Sequence, residues 1–199
     1  MRGDNKRPLL RVNLSAVYPT TLDQSKWNVA QAVKHCQATL ASDAPPSDKA
    51  RAYCWLLHLV GDLHQPIHST ALFCERFPTG DRGGNSIPLV QGDNLHSLWD
   101  NLLGRSHKPN DVKWEAAALK PWKADTSGDV SAWITESHEL AKSFAYSPEI
   151  VQAVQTEGEL LPISLPEEYL KKAGQRAQVR IVSAGLRVGK LLNSQDHPQ

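Results

Sequence analysis

Apolar side chains recur at intervals of three and four residues along most of this chain, and that spacing places them on one face of an α-helix. The first such segment runs from Ser25 to about Ala41. The second starts after Ser47, the expected N-cap, and ends at His64, because Pro66 cannot continue the helix. These segments predict an opening pair of helices.

The second predicted helix is more apolar than a surface helix usually is. Trp55, Leu56 and Leu59 add apolar side chains outside the stripe that helical spacing requires. A helix that is apolar on most of its sides is expected to be surrounded by other elements. We therefore expect this helix at the centre of the domain.

Four more helices are predicted downstream. They span Leu95 to Leu103 after the cap residue Asn94, about Asp129 to Tyr146, Pro148 to about Gln155, and Pro166 to Leu192. The other stretches are polar or rich in glycine and proline. Residues 1–22 are expected to form a loop-like lead-in and 74–93 an ordered loop or small hairpin, whereas 104–128 are expected to be irregular chain broken by Pro109 and Pro121. The prediction is one all-α domain covering residues 1–199.

The composition is that of a globular domain rather than a disordered or fibrous chain. Hydrophobic residues make up 40% and charged residues 22% of the 199 positions, a balance that allows a core to form. Lys and Arg number 22 against 21 Asp and Glu, so the net charge of +1 argues against a polybasic nucleic-acid wrapper and against an acidic tail. We expect a monomer.

The sequence contains no long apolar segment. Its apolar runs are far shorter than the roughly 20 residues of a membrane span, and the basic start is not followed by the apolar core of a signal peptide. Cys36, Cys54 and Cys74 contain no CxxC pair and allow one disulfide at most. No membrane span is therefore expected, and the localisation stays undecided.

Five histidine and aspartate residues stand out as candidate metal ligands. His58 and Asp62 are four residues apart in one predicted helix, His96 and Asp100 repeat that spacing in another, and His68 follows the bend after the first pair. Imidazole nitrogens and carboxylate oxygens are the ligands of zinc sites, including sites that hold several ions. The pattern predicts a zinc centre.

A less specific interpretation exists for each pair. A histidine and an aspartate at i and i+4 are more often a weak surface ion pair than a ligand set. Asp62, however, lies in a strongly apolar helix, where an unpaired carboxylate would be costly to bury. His64 faces another side of that helix and is expected to be structural. The histidines expected in solvent are His35, His107, His138 and His197.

Three strings together resemble the zinc-dependent single-strand-specific nucleases with 3′-nucleotidase activity, which are related to zinc phospholipase C. The strings are His58-Leu-Val-Gly-Asp62-Leu-His-Gln-Pro-Ile-His68, Asp81-Arg-Gly-Gly-Asn85 and Asn94-Leu-His96-Ser-Leu-Trp-Asp100. The resemblance implies a helical cleft with three zinc ions and hydrolysis of single-stranded DNA and RNA to 5′-phosphorylated products. A secreted or periplasmic location is also implied.

The resemblance also implies roles for individual residues. His58 and Asp62 would bind one zinc, with the catalytic Asp62 also bridging towards another. His68, His96 and Asp100 would hold a second zinc. Asn85 would bind substrate, since the Gly-Gly-Asn turn can offer donors to a phosphate oxygen, although such a sequence is more often only a turn. The aromatic residue that would stack on a base is not assigned.

One departure concerns the remaining zinc ligands of the family. Leu10 stands where a histidine is expected in a string like Arg7–Asn13, and three further ligands would lie upstream of Met1. We therefore expect a chain that lacks the family's N-terminal segment. It would hold one to two zinc ions instead of three, one of them tightly through His68, His96 and Asp100, with impaired activity.

Three other functions remain open at this point. A lipid phosphodiesterase of the phospholipase C type would use the same zinc ligands with another substrate pocket. An all-α phosphohydrolase would need an adjacent His-Asp dyad, and only the reversed pair Asp196-His197 occurs, near the end of the chain. An inactive metal-binding remnant would follow from the missing ligands.

Overall fold

The fold is described for residues 28–104, 108–119 and 124–193 of the computed structural model, and these residues are mostly helical. The α-helices in them are α1 (Val29–Ala41), α2 (Pro46–His64), α3 (Leu95–Asp100), α4 (Pro109–Leu119), α5 (Val130–Leu140), α6 (Pro148–Gln155) and α7 (Glu167–Asn193). A 3₁₀-helix spans Pro66–Ser69 and a π-helical turn spans Ala141–Ala145. The predicted all-α class is confirmed.

The glycine- and proline-rich stretch between α2 and α3 contains the small hairpin allowed by its sequence. Strands β1 (Pro88–Leu89) and β2 (Gly92–Asn94) pair antiparallel, with Pro88 opposite Asn94. Leu89 also forms a parallel bridge with Ile163, which joins the hairpin to the segment before α7. The hairpin therefore fixes the start of α3.

The first two helices follow the predicted boundaries closely. Asn28 caps α1 through a capping box with Gln31; the predicted start at residues 25–27 and the lead-in at 1–22 lie outside the described residues. Helix α2 begins at Pro46 and its N-cap is Pro45, so the prediction that Ser47 caps this helix is wrong. Proline fits the first helical position because the N–H group that it lacks would have no partner within the helix there.

Helix α4 occupies part of the stretch that we expected to be irregular. Pro109 was interpreted as a breaker, but it stands at the first position of α4. None of the α4 side chains is buried, and Trp114 is 78% exposed. The polar sequence of this stretch therefore reflects an exposed helix and not irregular chain.

The long helix predicted up to Tyr146 is interrupted. Helix α5 starts close to the predicted position, with Asp129 as its N-cap, but the α-helical pattern ends at Leu140 and the chain continues as a π-helical turn. That turn ends with the Tyr146 N–H donating to the Ala141 carbonyl over 3.0 Å. The wider turn leaves the Tyr146 side chain buried, only 3% exposed.

Helix α2 packs against α1, α5 and α7 with one face. Leu56 and Val60 on that face are fully buried, whereas Trp55 is 52% and Leu57 is 44% exposed. The contacts of α2 with three helices agree with its predicted central place, but the expectation that its other apolar sides are covered is wrong for the described residues. Apolar content showed that α2 has a wide apolar surface, but it could not show which part the neighbouring elements cover.

The buried apolar residues form two clusters that meet near the end of α2. One cluster lies between α1, α2, α5 and α7 and is centred on Val33, Leu56, Val60, Leu63, Trp133 and Ile134. The other surrounds the hairpin, α3 and α6 and includes Ile67, Leu72, Ile87, Leu95, Tyr146 and Ile150. The 3₁₀-helix after α2 therefore lies where both clusters can hold it.

A partly buried charged network joins α2, α5 and α7. Arg187, only 1% exposed, donates to both carboxylate oxygens of Glu136 over 2.7 and 2.8 Å and to His64 Nε2 over 2.9 Å. Arg180 donates to the same carboxylate over 2.7 Å and to the carbonyl of His64 over 3.1 Å. Two cations and one carboxylate thus fix the C-terminal end of α2.

Two other sequence predictions are resolved by the described residues. No helix among them combines the length and apolar content needed to cross a membrane. All three cysteines lie within the described ranges and are free thiols, with Cys36 buried, Cys54 exposed and Cys74 partly buried. The single disulfide that the sequence allowed is therefore not formed.

Candidate metal centre

His68, His96 and Asp100 come together at one place. Their ligand atoms all lie within 4.8 Å of one another. His68 Nε2 is 3.5 Å from Asp100 Oδ1, and His96 Nε2 is 3.5 Å from Asp100 Oδ2. Ligands about 2.1 Å from a tetrahedral zinc are roughly 3.4 Å apart, so the donor types fit that ion and the two distances to the Asp100 oxygens are close to its ligand spacing.

The local structure explains why these three side chains meet. His96 and Asp100 lie one turn apart on α3, whose start is held by a capping box between Asn94 and Ser97. The 3₁₀-helix places His68 opposite them, and the His68 and His96 ring centroids are 4.7 Å apart. Helix and 3₁₀-turn therefore bring two nitrogens and a carboxylate to one point.

Gln65 links the 3₁₀-helix that carries His68 to the carboxylate of Asp100. Its Oε1 accepts from the N–H of Ile67 over 2.5 Å and so caps the 3₁₀-helix that carries His68. Its Nε2 donates to Asp100 Oδ1 over 2.8 Å. One amide side chain thus orients the carboxylate from α3 relative to the turn after α2, a contact that the sequence did not indicate.

The ring of His96 is fixed by a backbone carbonyl. His96 Nδ1 lies 2.7 Å from the carbonyl oxygen of Gly83. A carbonyl only accepts, so Nδ1 carries a proton and donates, which leaves Nε2, on the side of Asp100, as the nitrogen available to a metal in the neutral ring. This is the tautomer that a metal-binding histidine needs.

A buried carboxylate organises the loop that carries Gly83. Asp81 is fully buried, and its Oδ1 accepts from the N–H groups of Leu72 and Gly83 over 2.9 and 3.1 Å. Its Oδ2 accepts from the Gly84 N–H over 3.0 Å and from the Tyr146 hydroxyl over 2.8 Å. Neither Asp81 nor Tyr146 stands out in the sequence as a candidate site residue, although Asp81 begins one of the resemblance strings.

His58 and Asp62 form a separate pair on α2. His58 Nε2 is 3.2 Å from Asp62 Oδ2, and the two side chains are 62% and 34% exposed. Asp62 is therefore not buried, and the burial argument made for it is wrong. Asp62 nevertheless lines a cavity of about 180 Å³ together with His68 and Asp100. Among the described residues, only His68, His96 and Asp100 form a group of three potential ligands within 4.8 Å.

Asn85 is the candidate substrate-binding residue, and its side chain bonds within its own turn. Its Nδ2 donates to the carbonyl of Arg82 over 2.9 Å. The N–H groups of Gly83 and Gly84 donate to Asp81. The N–H groups of Gly83 and Gly84 and one N–H of the Asn85 amide are therefore used to build the loop, while the Asn85 side chain remains exposed.

The other histidines divide into structural and exposed residues. His64 is structural, as predicted, and burial lowers its pKa to about 4 against the effect of its bond to the Val60 carbonyl. His138 was expected in solvent but is 9% exposed, near Thr70 Oγ1 at 3.4 Å. His35 is exposed, and His107 and His197 lie outside the described residues.

Comparison with known proteins gives consistent matches. The family model described as S1/P1 Nuclease matches residues 10–195. Endonuclease 1 of Arabidopsis thaliana is 29% identical over 161 residues, covering 73% of this chain and 50% of that protein. Nuclease P1 of Penicillium citrinum is 28% identical over 94 residues, covering 46% of this chain and 32% of its own length. The chain spans about half the length of the plant relatives it matches.

Proposed function

Because this chain belongs to the S1/P1 nuclease family, we propose that it is a zinc-dependent phosphodiesterase that cleaves single-stranded DNA and RNA and leaves 5′-phosphorylated ends. The observation that carries the proposal is the convergence of His68, His96 and Asp100 within 4.8 Å. These residues would hold the more tightly bound zinc, since a catalytic zinc uses three protein ligands and keeps one position open.

Bound zinc would lower the pKa of water towards neutrality and stabilise charge on the phosphate oxygens. The residues of the chain supply the geometry. Asp100 is held by Gln65 over 2.8 Å, and His96 is held by the Gly83 carbonyl over 2.7 Å, so neither has to reorient when the metal binds. In this proposal Asp62 and His58 would contribute to a second, weaker site, and Asp62, which lines the cavity with His68 and Asp100, would be the catalytic carboxylate.

Support for a preference for single strands comes from the cavity beside these ligands. Its volume is about 180 Å³, and its apolar wall includes Trp99, Leu103, Ala177 and Ile181. An unpaired base can leave its neighbours and enter such a space, whereas a base stacked inside a duplex cannot. Asn85, exposed on the loop that holds His96, is proposed to contact a phosphate of the same strand.

The test compares three substrates with the zinc-loaded chain: a single-stranded oligonucleotide, its duplex, and phosphatidylcholine. We expect cleavage of the single strand, little cleavage of the duplex, and products that carry 5′-phosphates. Asp100→Ala should abolish cleavage. Asp93→Ala removes an exposed carboxylate shortly before α3 and should leave the rate unchanged.

Each alternative predicts another result. Release of phosphocholine without cleavage of the oligonucleotide would identify a lipid phosphodiesterase. Zinc binding without hydrolysis of any of the three substrates would identify a metal-binding remnant. Cleavage that persists unchanged in Asp100→Ala would remove the three-residue group from the proposed active site.

A further inference from the structure

We infer that Asp81 and Tyr146 are positioning residues for the metal centre, acting on His96 through the carbonyl of Gly83. The inference rests on the proposed function only in treating His96 as a zinc ligand. Neither Asp81 nor Tyr146 belongs to the group of ligands. The contacts form a series from the Tyr146 hydroxyl to the Asp81 carboxylate, the Gly83 backbone and the His96 imidazole.

Hydrogen bonds to both of its oxygens hold the Asp81 carboxylate in place. This side chain is fully buried and accepts four hydrogen bonds, three from backbone N–H groups and one from the Tyr146 hydroxyl. A buried carboxylate is tolerated when its oxygens are bonded in this way. All four donors would lose or reorganise a bond if Asp81 moved, so the loop has one favoured arrangement.

The Gly83 carbonyl also has a fixed position. Gly83 has φ +60°, and a Cβ at this position would lie 3.0 Å from the carbonyl oxygen of Ile67. The loop therefore packs directly on the backbone of the 3₁₀-helix that carries His68. The carbonyl that accepts from His96 is thus held relative to a second proposed ligand as well.

Tyr146 reaches Asp81 from a distant part of the chain. The π-helical turn after α5 places this ring in the core around the hairpin. Burial raises the pKa of Tyr146, and the nearby negative charge of Asp81 raises it further. The hydroxyl therefore remains a proton donor to Asp81, and Asp81 remains an acceptor for the loop.

The consequence for His96 is a defined tautomer. With the Gly83 carbonyl in place, Nδ1 holds the proton and Nε2 offers its lone pair towards Asp100. If the loop moves, the ring loses the bond that selects between its two neutral tautomers. A share of the histidines would then present a protonated Nε2, which cannot bind zinc.

The test uses the full chain with two variants. Tyr146→Phe keeps the ring and removes one of the four donors. Asp81→Asn keeps the shape but presents an NH₂ group to donors that need an acceptor. The matched control is Tyr169→Phe, which removes another buried hydroxyl in the same cluster, bonded to Trp99 of α3 and to the Ala145 carbonyl.

Two readouts are measured. Nitrogen-15 NMR of the His96 ring in the zinc-free chain should show the Nδ1–H tautomer in the unchanged protein and in Tyr169→Phe, and a mixture of tautomers in the two variants. Zinc affinity, measured by competition with a chelating indicator, should fall about 10- to 100-fold in Tyr146→Phe and Asp81→Asn. If Asp81→Asn does not fold, Tyr146→Phe carries the test.

The results that would overturn the inference are specific. Tautomers unchanged in both variants would show that the series does not act on His96. An equal loss of zinc affinity in Tyr169→Phe would assign the effect to a loosened core. A chain that binds no zinc but shows the expected tautomer change would contradict the proposed function and leave the positioning of His96 intact.

Discussion

Gln65 donates a hydrogen bond of 2.8 Å to Asp100 and thereby connects the residue after α2 to the last residue of α3. The same side chain caps the 3₁₀-helix that carries His68. Two parts of the chain that are 35 residues apart are thus coupled at the metal centre by one amide group.

Replacing Gln65 with Ala is expected to weaken zinc binding about 10-fold, because Asp100 loses the donor that orients it and the His68 turn loses its cap. Chelator competition measures the affinity. Gln152→Ala is the control, since it removes an exposed amide side chain from α6. An unchanged affinity in Gln65→Ala would show that Asp100 is oriented by other contacts.

Replacing Asp62 with Ala is expected to lower single-strand cleavage about 100-fold or more, because the second proposed metal position loses its carboxylate. The chain should stay folded, since the exposed His58–Asp62 pair contributes only about 0.5 kcal/mol. Rates and urea unfolding are measured together. Asp48→Ala, which removes an exposed carboxylate paired with Arg51 on the same helix, serves as the control. Full activity in Asp62→Ala would exclude Asp62 from the site.

The zinc-free chain is expected to lose stability as the pH falls from about 6.5 towards 4. Burial lowers the pKa of His64 to about 4, so in this range the unfolded chain binds a proton that the folded chain does not. Because one pKa unit corresponds to about 1.4 kcal/mol, the loss from His64 approaches about 3 kcal/mol.

Urea unfolding between pH 4 and 7.5, with a chelator present, measures this loss. Glu136 adds to it at the acid end: burial alone would raise its pKa, but hydrogen bonds from Arg187 and Arg180 hold the pKa below its usual value. An NMR titration assigns the effect to His64. A midpoint near 6.5 in the folded chain would contradict the account.

Replacing Glu136 with Gln is expected to destabilise the fold by about 1 to 2 kcal/mol, because Arg187 and Arg180 would lose their charged acceptor, although solvent screens the 37% exposed Glu136 side chain. Denaturant unfolding measures the change. Glu168→Gln provides the comparison, since its ion pair with Lys172 on α7 is exposed and is worth less than about 1 kcal/mol. Equal losses of unfolding free energy in the two variants would show that Glu136, paired with Arg180 and Arg187, contributes no more than an exposed ion pair.

Helical periodicity predicted much of the fold and part of the site. The spacing of His96 and Asp100 within one helix required them to share a face, and the structure places them so. Their meeting with His68 depends on the 3₁₀-helix and the hairpin, which local spacing does not define. The family resemblance, rather than periodicity, grouped these three residues.

The features that sequence analysis missed depend on contacts between distant positions. Asp81 is buried because Tyr146, 65 residues later, reaches it from a π-helical turn that has no clear sequence signal. Asp62 was expected to be buried because its neighbours in sequence are apolar, but that pattern does not show which side of α2 is covered. Pro109 was expected to break the chain, but it is the first residue of α4, where a proline is tolerated.

The most direct test of the central claim is the number of zinc ions that remain bound per chain after extensive dialysis, measured by elemental analysis. We expect about one zinc in the unchanged chain and in His58→Ala, and essentially none when His96 and Asp100 are both replaced by Ala. A zinc that survives loss of His96 and Asp100, or that is lost in His58→Ala, would contradict the assignment of the metal centre to His68, His96 and Asp100.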